Sequence, residues 1–259
     1  MTAAFPDLLS LVDGRFAIDI APALAVGPPG HAYLFGGACL ALALDAAAEA
    51  VQRPVVQGAL QFVSFTPLGA RLQLAVDILQ AGRTLAQVQV SGRVDDRLVL
   101  MAGVTLGERA GFADQQWLAA PLVPPPAQCL PSTSLPRQDE NAHFLEAIEV
   151  RELAEDGLPT GRARFWLRRK TMGPIDTASL ALFADFIPVA LGRVSGRPGG
   201  GNSIDNSLRM VRSAPPGWCL ADITITAAAS GFAQGRVDLW SEQGDLLATG
   251  GQTLLFNPG

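Results

Sequence analysis

Short runs of alternating hydrophobic and polar residues cover much of the first half of the chain. The alternation is clearest in "TLAQVQVSGRV", and it is typical of antiparallel strands with one buried face. The predicted strands cover residues 15–24, 55–65, 71–79, 83–94 and 97–106. Residues 35–51 lack this alternation and are rich in Ala and Leu, so they predict a helix, which Pro54 follows as a stop.

The second half repeats the same order of elements. Residues 176–191 predict a helix that Pro188 must kink or end, because proline cannot donate a backbone hydrogen bond. The predicted strands cover residues 161–168, 203–212, 219–229, 231–240 and 245–256. A strand, a helix and a four-stranded meander that occur twice indicate an internal duplication, in which each antiparallel sheet curves around its own helix.

This duplication predicts three regions in the chain. Residues 1–110 form the first repeat, residues 111–145 form a linker, and residues 146–259 form the second repeat, which is expected to carry the catalytic residues. The linker contains "APLVPPPAQCLPSTSLP", and its prolines and small polar residues favour a connection without regular structure.

The two repeats differ in polarity at matching positions. Their helices align "LALALD" with "LALFAD", which pairs Asp45 with Asp185, and their last strands pair Val104 with Gln252. Gln252 lies on the apolar face of its strand, where a buried amide without partners costs about 1–3 kcal/mol. Asp185 lies on an apolar helix stripe and is therefore expected to be partly buried, whereas the stripe of Asp45 also carries Glu49 and predicts a solvated face.

Composition narrows the class of protein. Hydrophobic residues make up 49% of the 259 residues and the net charge is −5, so a large core is expected and a basic stripe for nucleic acid is not. The longest apolar run spans residues 33–44, and a membrane span needs about 20 residues. The N-terminus lacks a signal-peptide pattern, and three widely spaced cysteines suit neither a metal site nor a disulfide framework. We therefore expect a soluble cytoplasmic protein without a metal.

Four short motifs carry a resemblance to a known family. They are "FGG" at residues 35–37, "ADFIPVAL" at 184–191, "NSIDNSLRM" at 202–210 and "LLATGGQTLLF" at 246–256. In order and spacing they resemble the acyl-CoA thioesterase II group and its thioesterase-like relatives. The resemblance implies an α+β double hotdog fold, with two tandem repeats that each wrap a curved antiparallel sheet around a central helix.

The resemblance also implies a site and a reaction. In that family an aspartate, a threonine or serine, and a glutamine bind and activate a water that attacks a thioester. Here these residues are Asp185, Ser203 and Gln252, and Ser203 replaces the more usual threonine. Gly36 and Gly37 begin the first helix, and by the same resemblance their backbone N–H groups form an oxyanion hole opposite Asp185. Close helix packing is the rival explanation for the two glycines.

The implied function is that of an acyl-CoA thioester hydrolase in lipid metabolism. It releases coenzyme A and a free fatty or organic acid, needs no cofactor beyond the coenzyme A of its substrate, and binds neither nucleic acid nor membrane. Hotdog sheets commonly pair through their edges, so a homo-oligomer, a dimer or larger, is expected.

Two alternatives stay open at this point. A hotdog hydratase or dehydratase normally pairs an acid with a histidine, and this chain has only His31 and His143, neither on a predicted helix. A non-catalytic acyl-CoA binding protein would need the pocket but not the acid. A second working site around Asp45 is not expected, because Val104 replaces the glutamine and Asp176 and Thr177 replace the two glycines.

Overall fold

The computed structural model describes residues 9–10, 14–28, 30–132, 144–153, 161–171, 173–196 and 201–256. The strands that precede residue 108 are β1 (Leu9–Ser10), β2 (Arg15–Asp19), β3 (Ala25–Val26), β4 (Tyr33–Leu34), β5 (Val55–Phe62), β6 (Arg71–Ala81), β7 (Leu85–Val94) and β8 (Arg97–Gly107). The later strands are β9 (Leu130–Pro131), β10 (Ile148–Glu152), β11 (Arg162–Arg169), β12 (Gly201–Ser203), β13 (Asp205–Met210), β14 (Cys219–Ala229), β15 (Phe232–Ser241) and β16 (Leu246–Phe256). The helices are α1 (Gly36–Val51), α2 (Thr177–Ala184) and α3 (Ile187–Ser195).

One antiparallel sheet contains nearly all of these strands. Its order is β1-β2-β6-β7-β8-β5-β13-β16-β15-β14-β11-β10-β9, with β12 also paired to β16. The two repeats meet where β5 pairs with β13, with Asn206 opposite Leu60. Sheet strands from both repeats pack against the helices, and α1 packs on α2, so the two repeats share one hydrophobic core. This arrangement confirms the α+β double hotdog fold.

Small residues let α1 lie deep in this core. Ten of its sixteen residues are buried, among them Ala38, Ala41 and Ala43, whose methyl groups allow close approach to α2 and to the sheet. The helix begins at Gly36 without a side-chain cap and ends at Gln52, which adopts a left-handed conformation at φ 56°. By contrast α2 has a side-chain cap, because Asp176 accepts a hydrogen bond from the Ser179 N–H at 2.8 Å.

The second-repeat helix predicted over residues 176–191 is divided in two, which confirms the interruption expected from Pro188. It is interrupted at Asp185 and Phe186, two residues before Pro188, and it resumes at Ile187 and continues to Ser195. The physical reason is that Pro188 has no N–H to donate to the Ala184 carbonyl, so the α-helical ladder cannot run through Asp185. Asp185 therefore lies on a turn between two helices. The sequence had instead predicted that it lies on the apolar stripe of a helix.

The predicted linker of residues 111–145 contains some regular structure. Residues Pro126–Gln128 form a 3-10 helix, and the short strand β9 that follows pairs with β10. A second apolar cluster lies where this segment covers the outer face of the second-repeat sheet, and it contains Ala120, Val123, Cys129, Leu153, Trp166, Trp218, Leu220, Trp240 and Leu246. The expectation of a connection without regular structure thus fails at residues 126–131, because the backbone there pairs with β10, and at residues 144–145, which begin a second 3-10 helix.

The two consecutive helices α2 and α3 are strongly apolar. Together Thr177–Ser195 are long and apolar enough to cross a membrane, but most of their residues are buried inside the protein. Their hydrophobic character is accounted for by the core that they share with α1 and the sheet.

Candidate active site

The turn between α2 and α3 places the Asp185 carboxylate inside the protein, where only 3% of the residue is exposed. Three groups donate hydrogen bonds to it from three different elements. The Gly37 N–H at the start of α1 donates to Oδ2 at 2.6 Å, and the amide groups of Gln252 on β16 and Asn206 on β13 both donate to Oδ1. Both repeats therefore contribute to the surroundings of this acid.

Gln252 connects the acid to Ser203. Its Nε2 donates to Asp185, and its Oε1 accepts a hydrogen bond from the Ser203 hydroxyl at 3.5 Å. A carboxylate can only accept hydrogen bonds, so the NH2 group of Gln252 must face Asp185 and its carbonyl must face Ser203. The structure thus brings together the three side chains that the sequence identified, Asp185, Ser203 and Gln252.

The start of α1 is packed tightly against the acid. A Cβ atom on Gly36 would lie 2.6 Å from Asp185 Oδ2, and one on Gly37 would lie 2.9 Å from Asp185 Cβ and 2.9 Å from the Ala181 carbonyl oxygen. Both glycines are therefore required for close approach. The Gly37 N–H donates to Asp185, so of the two glycines only Gly36, which lines the neighbouring cavity, keeps its N–H free of a hydrogen bond within the described residues.

Burial makes Asp185 a weaker acid than an ordinary aspartate. Desolvation raises its pKa to about 7, while the hydrogen bonds from Gln252 and Gly37 act in the opposite direction by stabilising the carboxylate. A carboxylate whose pKa lies near neutral pH can both take up and release a proton under physiological conditions. Such a perturbed acid beside a cavity is a frequent feature of active sites.

A cavity of about 910 Å³ opens next to Asp185. Its volume is within the range of small-molecule sites, and its walls are mainly apolar. The residues that line it are Val26, Tyr33, Leu34, Phe35, Gly36, Cys39, Phe62, Val63, Ser64, Phe65, Thr66, Leu145, Asp185, Pro188, Val189, Gly192, Arg193, Gly196, Gly201, Asn202, Ser203, Ile204 and Leu255. A long apolar group can therefore lie beside the acid and the Ser203 hydroxyl.

Asn206 lies within the third of the four motifs, at residues 202–210, but it is not one of the predicted site residues. It is 1% exposed, and its Nδ2 lies 3.3 Å from Asp185 Oδ1. The register could have indicated it, because Ser207 pairs with Gly251 and the next residues on the two strands are Asn206 and Gln252. Two amides side by side on the inner face of the sheet are a stronger signal than either one alone.

The matching position in the first repeat has different surroundings. Asp45 is half-buried rather than solvated, which corrects the prediction made from its helix stripe. Burial raises its pKa to about 7, the Asp176 carboxylate adds to this rise, and Arg169 opposes it. Asp176, the N-cap residue of α2, matches Gly36 in the sequence alignment of the two repeats, so a second acid lies near Asp45 where a glycine lies against Asp185. Asp45 does not line the large cavity.

The remaining candidates are the two histidines and the side chains that could bind a metal ion. His31 is exposed and does not line the cavity, while His143 and most of the glycine-rich loop, at 197–200, lie outside the described residues. Within the ranges that the structure describes, no three His, Cys, Asp or Glu side chains form a group that could hold a metal ion.

Comparison with known proteins agrees with this geometry. The profile of the acyl-CoA thioesterase N-terminal domain matches residues 27–107, and that of the acyl-CoA thioesterase C-terminal domain matches residues 126–256. No curated protein sequence matches the chain.

Solved structures extend the comparison. A protein of Novosphingobium aromaticivorans, described as a proposed thioesterase, is 61% identical with a TM-score of 0.94, and the match covers 98% of this chain and 100% of the other. A proposed thioesterase II of Thermobifida fusca is 19% identical, with a TM-score of 0.84 and 96% of both chains covered. An acyl-CoA thioesterase II of Mycobacterium marinum is 18% identical, with a TM-score of 0.77 and coverage of 97% of this chain and 96% of the other. At such identities the last two structures support the fold alone.

Proposed function

Because the chain belongs to the acyl-CoA thioesterase family, we propose that it hydrolyses acyl-CoA thioesters with a water that Asp185 activates. The observation that carries the proposal is the buried hydrogen-bonded group of Asp185, Gln252 and Ser203 beside an apolar cavity of about 910 Å³. Such a group can hold and deprotonate a water, and such a cavity suits an acyl chain.

Each of the three side chains has a distinct task in the proposed reaction. Asp185 acts as the general base, and its pKa of about 7 means that it is substantially ionised at neutral pH. Gln252 is held at both ends by hydrogen bonds, so it fixes the carboxylate relative to Ser203. Ser203 lines the cavity, and its oxygen still has a lone pair with which to hold the water.

The proposed reaction has two steps. In the first, one proton of the water moves to Asp185 while the water oxygen bonds to the thioester carbonyl carbon and a tetrahedral oxyanion forms. In the second, the carbon–sulfur bond breaks and the proton moves from Asp185 to the departing sulfur. The products are a free acid and coenzyme A, and no covalent enzyme intermediate is formed.

The start of α1 supplies a candidate site for the oxyanion. The Gly36 N–H has no hydrogen bond within the described residues, and the positive end of the helix dipole lies at this position. Gly37 instead donates to Asp185. In this proposal Gly36 therefore contacts the oxyanion, and Gly37 positions the acid.

Release of free thiol from a panel of acyl-CoA thioesters tests the proposal. Wild type should release thiol from at least one member of the panel, and Asp185→Asn should lower kcat at least 100-fold. Asp45→Asn is the matched control, because Asp45 has the same position in the other repeat and a similarly raised pKa but lies outside the cavity. The control should keep wild-type activity. Equal activity of wild type and Asp185→Asn would refute the mechanism, and binding without turnover across the panel would favour a non-catalytic binder.

A further inference from the structure

The two oxygens of the Asp185 carboxylate have different partners. Oδ2 accepts the backbone N–H of Gly37, which the helix holds in place. Oδ1 accepts hydrogen bonds from two side-chain amides, those of Gln252 and Asn206. The strands that carry these amides are paired, so the amides approach Oδ1 together from one side.

The two amides are not held in the same way. The Gln252 carbonyl accepts a hydrogen bond from Ser203, so Gln252 is fixed at both ends. The Asn206 Oδ1 is buried and has no partner within the described residues, so the bond to Asp185 is the only one that its side chain makes there. A buried polar side chain that served only the stability of the sheet would be expected to satisfy both of its polar ends.

We propose that Asn206 is a positioning residue for Asp185, and that it keeps the carboxylate ionised and aligned with the catalytic water. This inference rests on the proposed function and assigns a role to a residue beyond its three catalytic side chains. Asn206 occupies the position where the thioesterase II motif has histidine. An asparagine NH2 group can always donate, whereas a neutral imidazole can donate from only one of its two nitrogens.

The physical basis is the preference of a hydrogen bond for the charged form of the acid. Burial alone disfavours the carboxylate. A donor N–H that points at a carboxylate recovers part of that loss in free energy. Hydrogen bonds to an ionised group are about twice as strong as those between neutral groups. Removing the Asn206 donor should therefore make Asp185 harder to ionise.

Other titratable groups that face Asp185 do not compete for this role. Tyr33 on β4 and Cys39 on α1 both line the cavity, and both have pKa values raised by burial first and by the Asp185 charge second. Both groups are therefore neutral where Asp185 titrates. On α3, Arg193 also lines the cavity, where its guanidinium contacts the Glu152 carboxylate and donates to the Leu153 carbonyl oxygen.

The test is the pH dependence of kcat in Asn206→Leu, which keeps the side-chain volume and removes the donor. The acidic limb should move to higher pH by about one unit, with KM changed less than threefold. Asn206→His, with a donor restored, should return the limb towards wild type. The matched control is Ser207→Ala, which removes a hydrogen bond to the Gly251 carbonyl oxygen from the same strand and should leave the limb in place.

A direct titration of Asp185 separates this inference from the proposed function. Carboxyl carbon-13 NMR, assigned with Asp185→Asn, follows the acid whether or not the protein hydrolyses any thioester. A higher pKa of Asp185 in Asn206→Leu would support the inference even if wild type is inactive. Superimposable titration curves of wild type and Asn206→Leu would overturn it. If Asn206→Leu does not fold, Asn206→Ala serves as the second variant with the same two outcomes.

Discussion

At the scale of single residues, the central feature is a carboxylate that the fold keeps buried but surrounds with donors. Isolation of an ionised aspartate in an apolar core would be prohibitive, and neutralisation is the usual outcome. Gly37, Gln252 and Asn206 oppose neutralisation by donating hydrogen bonds to the two oxygens of Asp185. Burial of the carboxylate lowers the stability of the folded protein, and it also gives Asp185 the raised pKa of a base that works near neutral pH.

The first prediction concerns the pH dependence of activity and stability. Because burial raises the pKa of Asp185 to about 7, kcat/KM for an acyl-CoA should rise as the pH increases through about 7 and then level off. The folded-state pKa is raised above the value of about 3.9 in the unfolded chain, so the contribution of Asp185 to stability is fully present below pH 4 and is lost as the pH rises through 7.

Asp185→Asn should therefore become more stable relative to wild type between pH 4 and pH 8. The expected gain is on the order of 1–4 kcal/mol in the free energy of unfolding, measured by denaturant titration. A stability difference that does not change with pH would show that the acid is not the buried group described here.

The identity of these residues could be predicted from the sequence better than their contacts. Gln252 is polar at a position where the first repeat has valine, and Asp185 lies in an apolar segment, so both drew attention. The contact of Asn206 with Asp185 was missed because it depends on the pairing of β13 with β16, and a single sequence does not give strand register. The half-burial of Asp45 was missed because helix periodicity does not show what packs against a stripe.

At the scale of elements, the site depends on how two helices meet. The start of α1 lies against the break between α2 and α3, and glycines at positions 36 and 37 leave no side chain between them. The break itself was predictable only in part. Pro188 indicated an interruption, but its position three residues upstream, at Asp185, follows from which carbonyl loses its donor.

The second prediction tests this close contact. In Gly37→Ala the new methyl group would lie 2.9 Å from the Ala181 carbonyl oxygen and from Asp185 Cβ, so α1 and the acid must move apart. We expect kcat/KM to fall about 10- to 100-fold, because small displacements of a catalytic group are costly. Gly103→Ala is the control, since a methyl group there meets no atom within 4 Å and should leave activity unchanged. Normal activity of Gly37→Ala would contradict the packing described.

At the scale of the whole molecule, the two repeats form one sheet and one hydrophobic core. Their sheets join through β5 and β13, and their helices share one core. The duplication and its order of elements could be predicted from alternation alone, since the period of apolar residues fixes which face of each strand is buried. The fusion into one sheet could not, because the pairing of β5 with β13 joins strands that are distant in the sequence.

The third prediction follows from this shared core. Leu208 on β13 is fully buried beside the junction, so Leu208→Ala should lower the free energy of unfolding by about 2–5 kcal/mol. One tryptophan, Trp117, lies in the linker and the other three lie in the second repeat, so fluorescence does not report on the first repeat while circular dichroism follows both repeats. The two signals should give the same denaturation midpoint in wild type and in the variant. The exposed neighbour Arg209→Ala should have little effect, and separate midpoints would show that the repeats unfold independently.

The central claim, that Asp185 activates a water instead of attacking the thioester itself, is tested most directly by a single turnover in oxygen-18 water. With enzyme in excess over acyl-CoA, direct attack by water predicts that the released acid carries one oxygen-18 atom and that Asp185 stays unlabelled. Attack by Asp185 would form an anhydride, and hydrolysis of that anhydride at the Asp185 carbonyl carbon would transfer one of the Asp185 oxygens to the product. An unlabelled acid together with oxygen-18 in the peptide that contains Asp185 would therefore contradict the account.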